Sequence, residues 1–192
     1  MPVARTIHAL GHEREVFLLK LNKHLSTLVF CALLAAMTMI FKRFAVFNID
    51  WLRLSLENTP VLLSGILFGP LAGMVTGIVG DLIGCVFCGY AVNPIITLGM
   101  GLAGCVCGFM FRISKRLPLL GRLILSVYGG HILGNLVVKS IGLRLWLGTP
   151  WATLALRIPT YLIIGVAEIF VFGVLLNSKA FTKQMRKIDP NF

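Results

Sequence analysis

Charge is scarce in this sequence: charged residues make up 13% of 192 positions, where a soluble domain has about a quarter. Acidic residues are scarcer still, seven against eighteen Lys and Arg. No G-x-x-x-x-G-K-[ST] phosphate loop occurs, which excludes nucleotide hydrolysis by this chain. Neither an H-E-x-x-H metal motif nor a G-x-S-x-G elbow is present, so the sequence supports no catalysis and implies no cofactor. The five cysteines, Cys31, Cys85, Cys88, Cys105 and Cys107, all lie in apolar runs. The two close pairs among them lack the polar surroundings that orient zinc ligands, and they read as buried small residues rather than a metal site. A cleavable leader is also missing: the first apolar run begins at Leu25, behind a basic, polar stretch, and reads as a retained span.

What the chain has instead is apolar surface. Hydrophobic residues make up 57% and the mean hydropathy is +0.90, values of an integral membrane protein. With spans of about 20 residues, this length holds five or six helices in one membrane domain. We read residues 1–23 as a cytoplasmic or interfacial leader, 24–178 as the membrane domain and 179–192 as a basic cytoplasmic tail. Net charge is +11, yet the cations do not form a nucleic-acid face. Twelve of the eighteen fall in three clusters: Arg5, Arg14, Lys20 and Lys23; Arg112, Lys115, Arg116 and Arg122; Lys179, Lys183, Arg186 and Lys187. Each flanks an apolar run, the pattern of cytoplasmic helix ends. Lys42, Arg43, Arg53, Lys139, Arg144 and Arg157 are left over.

The first span, about 24–41, carries Ala32 and Ala36 one turn apart, a spacing that permits close helix contact or reflects composition alone. Residues 42–57 read as an extracellular loop with interfacial aromatics. The apolar run 59–87 is about 43 Å long as one helix, against a hydrocarbon core of about 30 Å. It carries Gly69, Gly73, Gly77, Gly80 and Gly84, which share one helical face and suggest close approach of a neighbouring helix. Cytoplasmic placement of all three basic clusters requires an even number of spans between the first two, so the run must split at Gly69-Pro70. The expectation is an all-α protein of six transmembrane helices with both termini cytoplasmic. Thr59-Pro60, Asn93-Pro94 and Thr149-Pro150 then open the three inward-running helices as cap followed by proline, all at the outer face.

Asp81, Lys139, Arg157 and Glu168, with the weaker polar groups His131 and Asn135, fall inside predicted spans. A charge at a helix centre costs about 2.5–3.5 kcal/mol on insertion scales, so these groups need partners or a wet cavity. Lys139 either snorkels to the interface or meets a ligand. Arg157 either pairs with Asp81 or Glu168 or meets a ligand, and Pro159 loosens the backbone beside it. His131 reads as a ligand-site candidate or as hydrogen-bonded packing.

The segment LRLSLENTPVLLSGILFGPLAGMVTGIVGDLIG resembles the core of the substrate-binding S components of energy-coupling factor (ECF) vitamin transporters. GYAVNPIITLG, GGHILGNLVVKSIGL and LALRIPTYLIIG resemble the folate-specific branch, and the likeness covers roughly residues 25–176. The resemblance implies a multi-pass protein of the bacterial cell membrane that binds folate or a reduced folate from outside. It also implies a transmembrane coupling subunit and two ABC ATPases as partners, with Ala32 and Ala36 in the coupling contact. For the vitamin it implies carboxylate partners in Arg53, Lys139 and Arg157, pterin readers in Asn58, Asn93 and Asn135, and stacking on Trp51, Tyr90 and Trp151. Asp81, His131 and Glu168 complete the candidate set. An S component for another flat vitamin, riboflavin or a pantothenate-like compound, is the alternative within the family, and a non-transport membrane scaffold is the alternative outside it.

Overall fold

The computed structural model describes residues 24–44, 46–49 and 52–188, except for the side chains of residues 46–49, 52–54 and 186–188. The expected leader, 1–23, and Trp51 lie outside the described residues. Helix α1 spans His24–Phe44 and is followed by a hairpin of β1 (Val46–Ile49) and β2 (Leu52–Ser55). Then come α2 (Thr59–Phe68), α3 (Pro70–Cys88), α4 (Pro94–Ile113), α5 (Leu119–Leu147), α6 (Trp151–Asn177) and α7 (Lys179–Ile188).

Five of these helices, α1 and α3 to α6, are long and apolar enough to cross a membrane. The sixth apolar helix, α2, has ten residues and reaches about 15 Å, half of a hydrocarbon core. It is apolar on every side and largely buried, as a helix with no polar face must be. The split at Gly69-Pro70 is as expected. Gly69 adopts φ 100° and ψ −178°, a conformation almost closed to residues with a Cβ, and Pro70 starts the next helix at a position that needs no N–H donor. Arg112 seals the bend by donating from Nη2 to the Phe68 carbonyl at 3.1 Å.

Helix α4 is the central post, packed against α2, α3 and α5. Glycines bring the backbones together. A Cβ at Gly73 would fall 2.5 Å from the Gly104 carbonyl oxygen, and one at Gly108 would fall 2.5 Å from that of Gly65. On the opposite side of α4, a Cβ at Gly134 of α5 would fall 2.5 Å from the Ala103 nitrogen. The stripe predicted along α3 therefore divides its work: Gly73 and Gly77 face α4, while Gly80 and Gly84 admit Thr38 and Lys42 of α1. In α5, residues His131–Val138 are π-helical, and the Lys139 N–H reaches back five residues to the Gly134 carbonyl.

Several local expectations are corrected. Lys42, assigned to a loop, lies inside α1 and is 8% exposed, because its long apolar stem lies along Gly84 and its ammonium meets Asp81. Within the segment read as a loop with interfacial aromatics, Val46–Ile49 and Leu52–Ser55 pair as antiparallel strands, with Phe47 opposite Leu54 and Asn48 opposite Arg53. Thr59 is the first residue of α2 rather than its cap, and its hydroxyl donates to Glu168. Asn93 is a true cap: its Oδ1 accepts from the amides of Ile95 and Ile96 at 3.0 and 3.3 Å. Thr149 caps nothing at the start of α6, which begins at Trp151; its hydroxyl closes the end of α5 by donating to the Leu143 carbonyl. Near Pro159 the helix loosens at Leu156, whose carbonyl accepts the Thr160 hydroxyl at 2.9 Å.

Since α4 packs backbone to backbone on α3, Gly104→Val should lower stability in detergent by about 1–3 kcal/mol through overpacking. Gly129→Ala, whose new methyl meets only side-chain atoms, of Met110 at 3.4 Å and Val106 at 3.7 Å, should leave it nearly unchanged. Thermal unfolding of the purified variants checks both; equal midpoints would contradict this account of the core.

Candidate functional site

At the end of the bundle where α1, α3 and α5 finish and α2, α4 and α6 begin, the helices enclose a cavity of about 670 Å³. This lies within the range that takes a drug-sized ligand. The α3–α4 connection forms one wall. It starts with Gly89 in the left-handed region at φ 70°, which lets the Tyr90 amide bond back to the Cys85 carbonyl and turns the chain over the opening. Tyr90 and Trp146, 50% and 58% exposed, stand in the lining as aromatic surface open to an incoming molecule.

Among the described residues three cations line the cavity, each held differently. Lys42 Nζ lies 2.6 Å from Asp81 Oδ1 and 3.2 Å from Cys85 Sγ, while Thr97 donates to the other Asp81 oxygen at 2.6 Å. This pair is nearly inaccessible and joins α1, α3 and α4. Lys139 Nζ reaches Asn58 Oδ1 at 3.3 Å, Glu57 Oε1 at 3.5 Å and Met100 Sδ at 3.1 Å. Arg157 has no carboxylate partner among the described residues. It donates to the Tyr161 hydroxyl at 2.8 Å and to Ser140 Oγ at 3.4 Å, with its guanidinium carbon 5.5 Å from the Tyr161 ring centre. Asn93 also lines the cavity, and with its Oδ1 spent on the cap, its buried Nδ2 has no partner among the described residues. A guanidinium without a counter-ion and an amide donor without an acceptor together favour a ligand with anionic and acceptor oxygens.

Of the candidates named from the sequence, the structure brings Asn58, Asp81, Tyr90, Asn93, Lys139 and Arg157 together in this lining. His131, Asn135 and Glu168 lie behind it, fully buried and bonded to one another: His131 Nε2 to Glu168 Oε2 at 2.6 Å, and Asn135 Nδ2 to His131 Nδ1 at 3.0 Å. With Nε2 protonated and donating to the carboxylate, Nδ1 serves as acceptor for the amide. Trp151 is 66% exposed on the outside of α6, under the Arg144 guanidinium at 5.6 Å, and is not in the lining. Trp51 lies outside the described residues, and of Arg53 only the backbone, in β2, is described. Ala32 and Ala36 are both exposed on α1, remote from the cavity lining.

Sequence reasoning missed Lys42, Glu57, Cys85, Trp146 and Tyr161. Helical spacing carried a signal for most of them. Trp146 stands seven residues after Lys139, Tyr161 four after Arg157 and Cys85 four after Asp81, so each shares a face with a residue already singled out.

Comparison with known proteins places the chain in a family. A sequence model of the family described as "ECF-type riboflavin transporter, S component" matches residues 22–183. The folate transporter FolT of Clostridium novyi (strain NT) is 27% identical over 127 residues, 66% of this chain and 73% of that protein. Among solved structures, FolT bound with folic acid superposes with a TM-score of 0.62 at 25% identity, covering 75% of this chain and 88% of that one. The S component for biotin from an ECF-type ABC transporter gives a TM-score of 0.64 at 18% identity, covering 86% and 98%, and bears on the fold alone. With a family match across most of its length and a cavity shaped by the same bundle, the chain belongs to the S components of ECF-type transporters, and is a multi-pass membrane transport component rather than an enzyme.

Proposed function

We propose that this chain is the folate-binding S component of an ECF-type importer. It captures folate or a reduced folate from outside the bacterial cell and delivers it through a coupling subunit and two ABC ATPases. Six helices cross or enter the membrane in this reading, with both termini cytoplasmic and the cavity on the outer side. The observation that carries the reading is Arg157, the cavity cation with no carboxylate beside it among the described residues. An anionic vitamin supplies the missing counter-charge. The similarity to the folate transporter FolT and to the structure of FolT bound with folic acid supports the same choice.

In this reading the glutamyl carboxylates meet Arg157 and Lys139, the pteridine acceptors take the free Asn93 donor, and Asn58 and Asp81 border the ring edge. Tyr90 supplies stacking surface, and Trp51 and Arg53 complete the ligand contacts in this reading. His131, Asn135 and Glu168 act from behind the lining rather than by contact. Ala32 and Ala36, exposed and one turn apart, form part of the surface for the coupling subunit. The riboflavin description of the matching family favours a second reading, a neutral flavin in the same cavity. Arg157 weighs against it, because an uncharged ligand leaves the guanidinium uncompensated.

Equilibrium binding of labelled folate to the purified protein separates the two. Saturable binding displaced by unlabelled folate and not by riboflavin is expected; displacement by riboflavin alone would overturn the proposal. Arg157→Ala should weaken folate binding by about 10- to 100-fold, the worth of a charge-assisted pair. Arg157→Lys should recover only part of that loss, since an ammonium cannot reproduce the forked geometry. Titration of the three proteins under one condition checks both expectations.

A further inference from the structure

Behind the cavity, a line of buried side chains connects three helices without reaching the ligand space. Glu168 of α6 is 1% exposed and accepts two bonds, from Thr59 Oγ1 of α2 at 2.8 Å and from His131 Nε2 of α5 at 2.6 Å. Among the described residues no Lys or Arg pairs with it. A buried polar cluster of this kind seldom adds net stability, because apolar side chains of the same volume would serve the packing as well or better. Its geometry relates it to the site. The His131 ring lies stacked on Tyr161, centroids 4.9 Å apart and planes 29° from parallel. Tyr161 is itself in the cavity wall and presents its hydroxyl to Arg157.

Arg157 needs this support. An arginine side chain gives up much rotamer freedom when fixed, and no described carboxylate fixes this one. Its other described contact, Ser140, is long at 3.4 Å. The orientation of the guanidinium therefore follows that of the Tyr161 ring, on which it also lies. The ring in turn is backed by an imidazole whose two nitrogens are both tied down, one by Glu168 and one by Asn135.

We propose that His131, held by Glu168, is a positioning residue for Arg157: through its stack on Tyr161 it pre-orients the guanidinium toward the ligand's anionic group. Affinity then depends on a residue that never touches the ligand, since preorganisation reduces the ordering cost of binding. The inference rests on the proposed receptor function for its ligand and on the contacts above for its mechanism.

A double-mutant cycle tests it, with folate, riboflavin and biotin as parallel probes so that the cycle is read with whichever the unmodified protein binds. His131→Ala should raise Kd about tenfold in the parent protein and less than twofold when Arg157→Ala is already present, the non-additivity of coupled residues. A second variant, His131→Phe with Glu168→Gln, keeps a flat ring against Tyr161 and leaves no unpaired buried carboxylate; its Kd should stay within about threefold of the parent. Equal losses from His131→Ala in both backgrounds would overturn the positioning role. So would a Phe variant as weak as the Ala variant. Biotin binding without folate binding would overturn the folate reading, and the cycle on biotin, which carries a carboxylate, would still decide this one; riboflavin binding alone, with no anionic group for Arg157, would overturn both.

Discussion

Backbone-to-backbone packing at glycine is the constraint on which the site depends. In lipid there is no hydrophobic drive to hold apolar helices against one another, so association relies on close van der Waals contact. Gly65 and Gly73 supply it by letting α2 and α3 lie directly on Gly104 and Gly108 of α4. The bend at Gly69 folds the two helices back on each other, which returns Asp81 to the end of the bundle where Asn58 begins α2. Gly134 does the same for α5 against Ala103, and one turn further on Lys139 enters the cavity beside Met100 of α4. The polar residues of the site are thus carried by elements whose spacing leaves no room for adjustment.

Charge is then distributed according to what each buried ion can find. Lys42 and Asp81 satisfy one another and join α1 to the bundle, a helix that otherwise buries little of its surface. Lys139 shares Glu57 and Asn58. Arg157 is braced by a phenol and a hydroxyl, which position it and leave its charge unanswered. Breaking a buried pair by removing one partner is costly, whereas adding an anion beside an unanswered guanidinium is favourable. The first two arrangements belong to the scaffold as much as to the site, and the third is the one on which the proposed selectivity for an anionic vitamin rests.

Much of this was legible in the chain itself. Run length and the three basic clusters located the bend at Gly69-Pro70, and the cap chemistry of Asn93-Pro94 was read correctly from two residues. Misreadings came where a local rule competed with a distant partner. Lys42 resembled the end of a span because its counter-ion, Asp81, stands 39 residues away. Thr59 and Thr149 matched the cap pattern, yet one hydroxyl answers a buried carboxylate and the other an open carbonyl of the preceding helix. Trp146 was passed over for Trp151, although the face shared with Lys139 pointed to it. The alternation of Phe47, Ile49, Leu52 and Leu54 signals paired strands within a segment read as a loop with interfacial aromatics. The π-helical stretch His131–Val138 has no signature in the sequence.

The central claim is that the cavity selects an aromatic vitamin carrying negative charge, because one of its cations has no protein counter-ion among the described residues. Mass spectrometry of the small molecule released by denaturing the protein, purified from cells grown with a full set of vitamins, tests it most directly. The account predicts a pteridine bearing glutamate, in stoichiometric amount and lost from Arg157→Ala. A flavin in its place, retained by that variant, would contradict it.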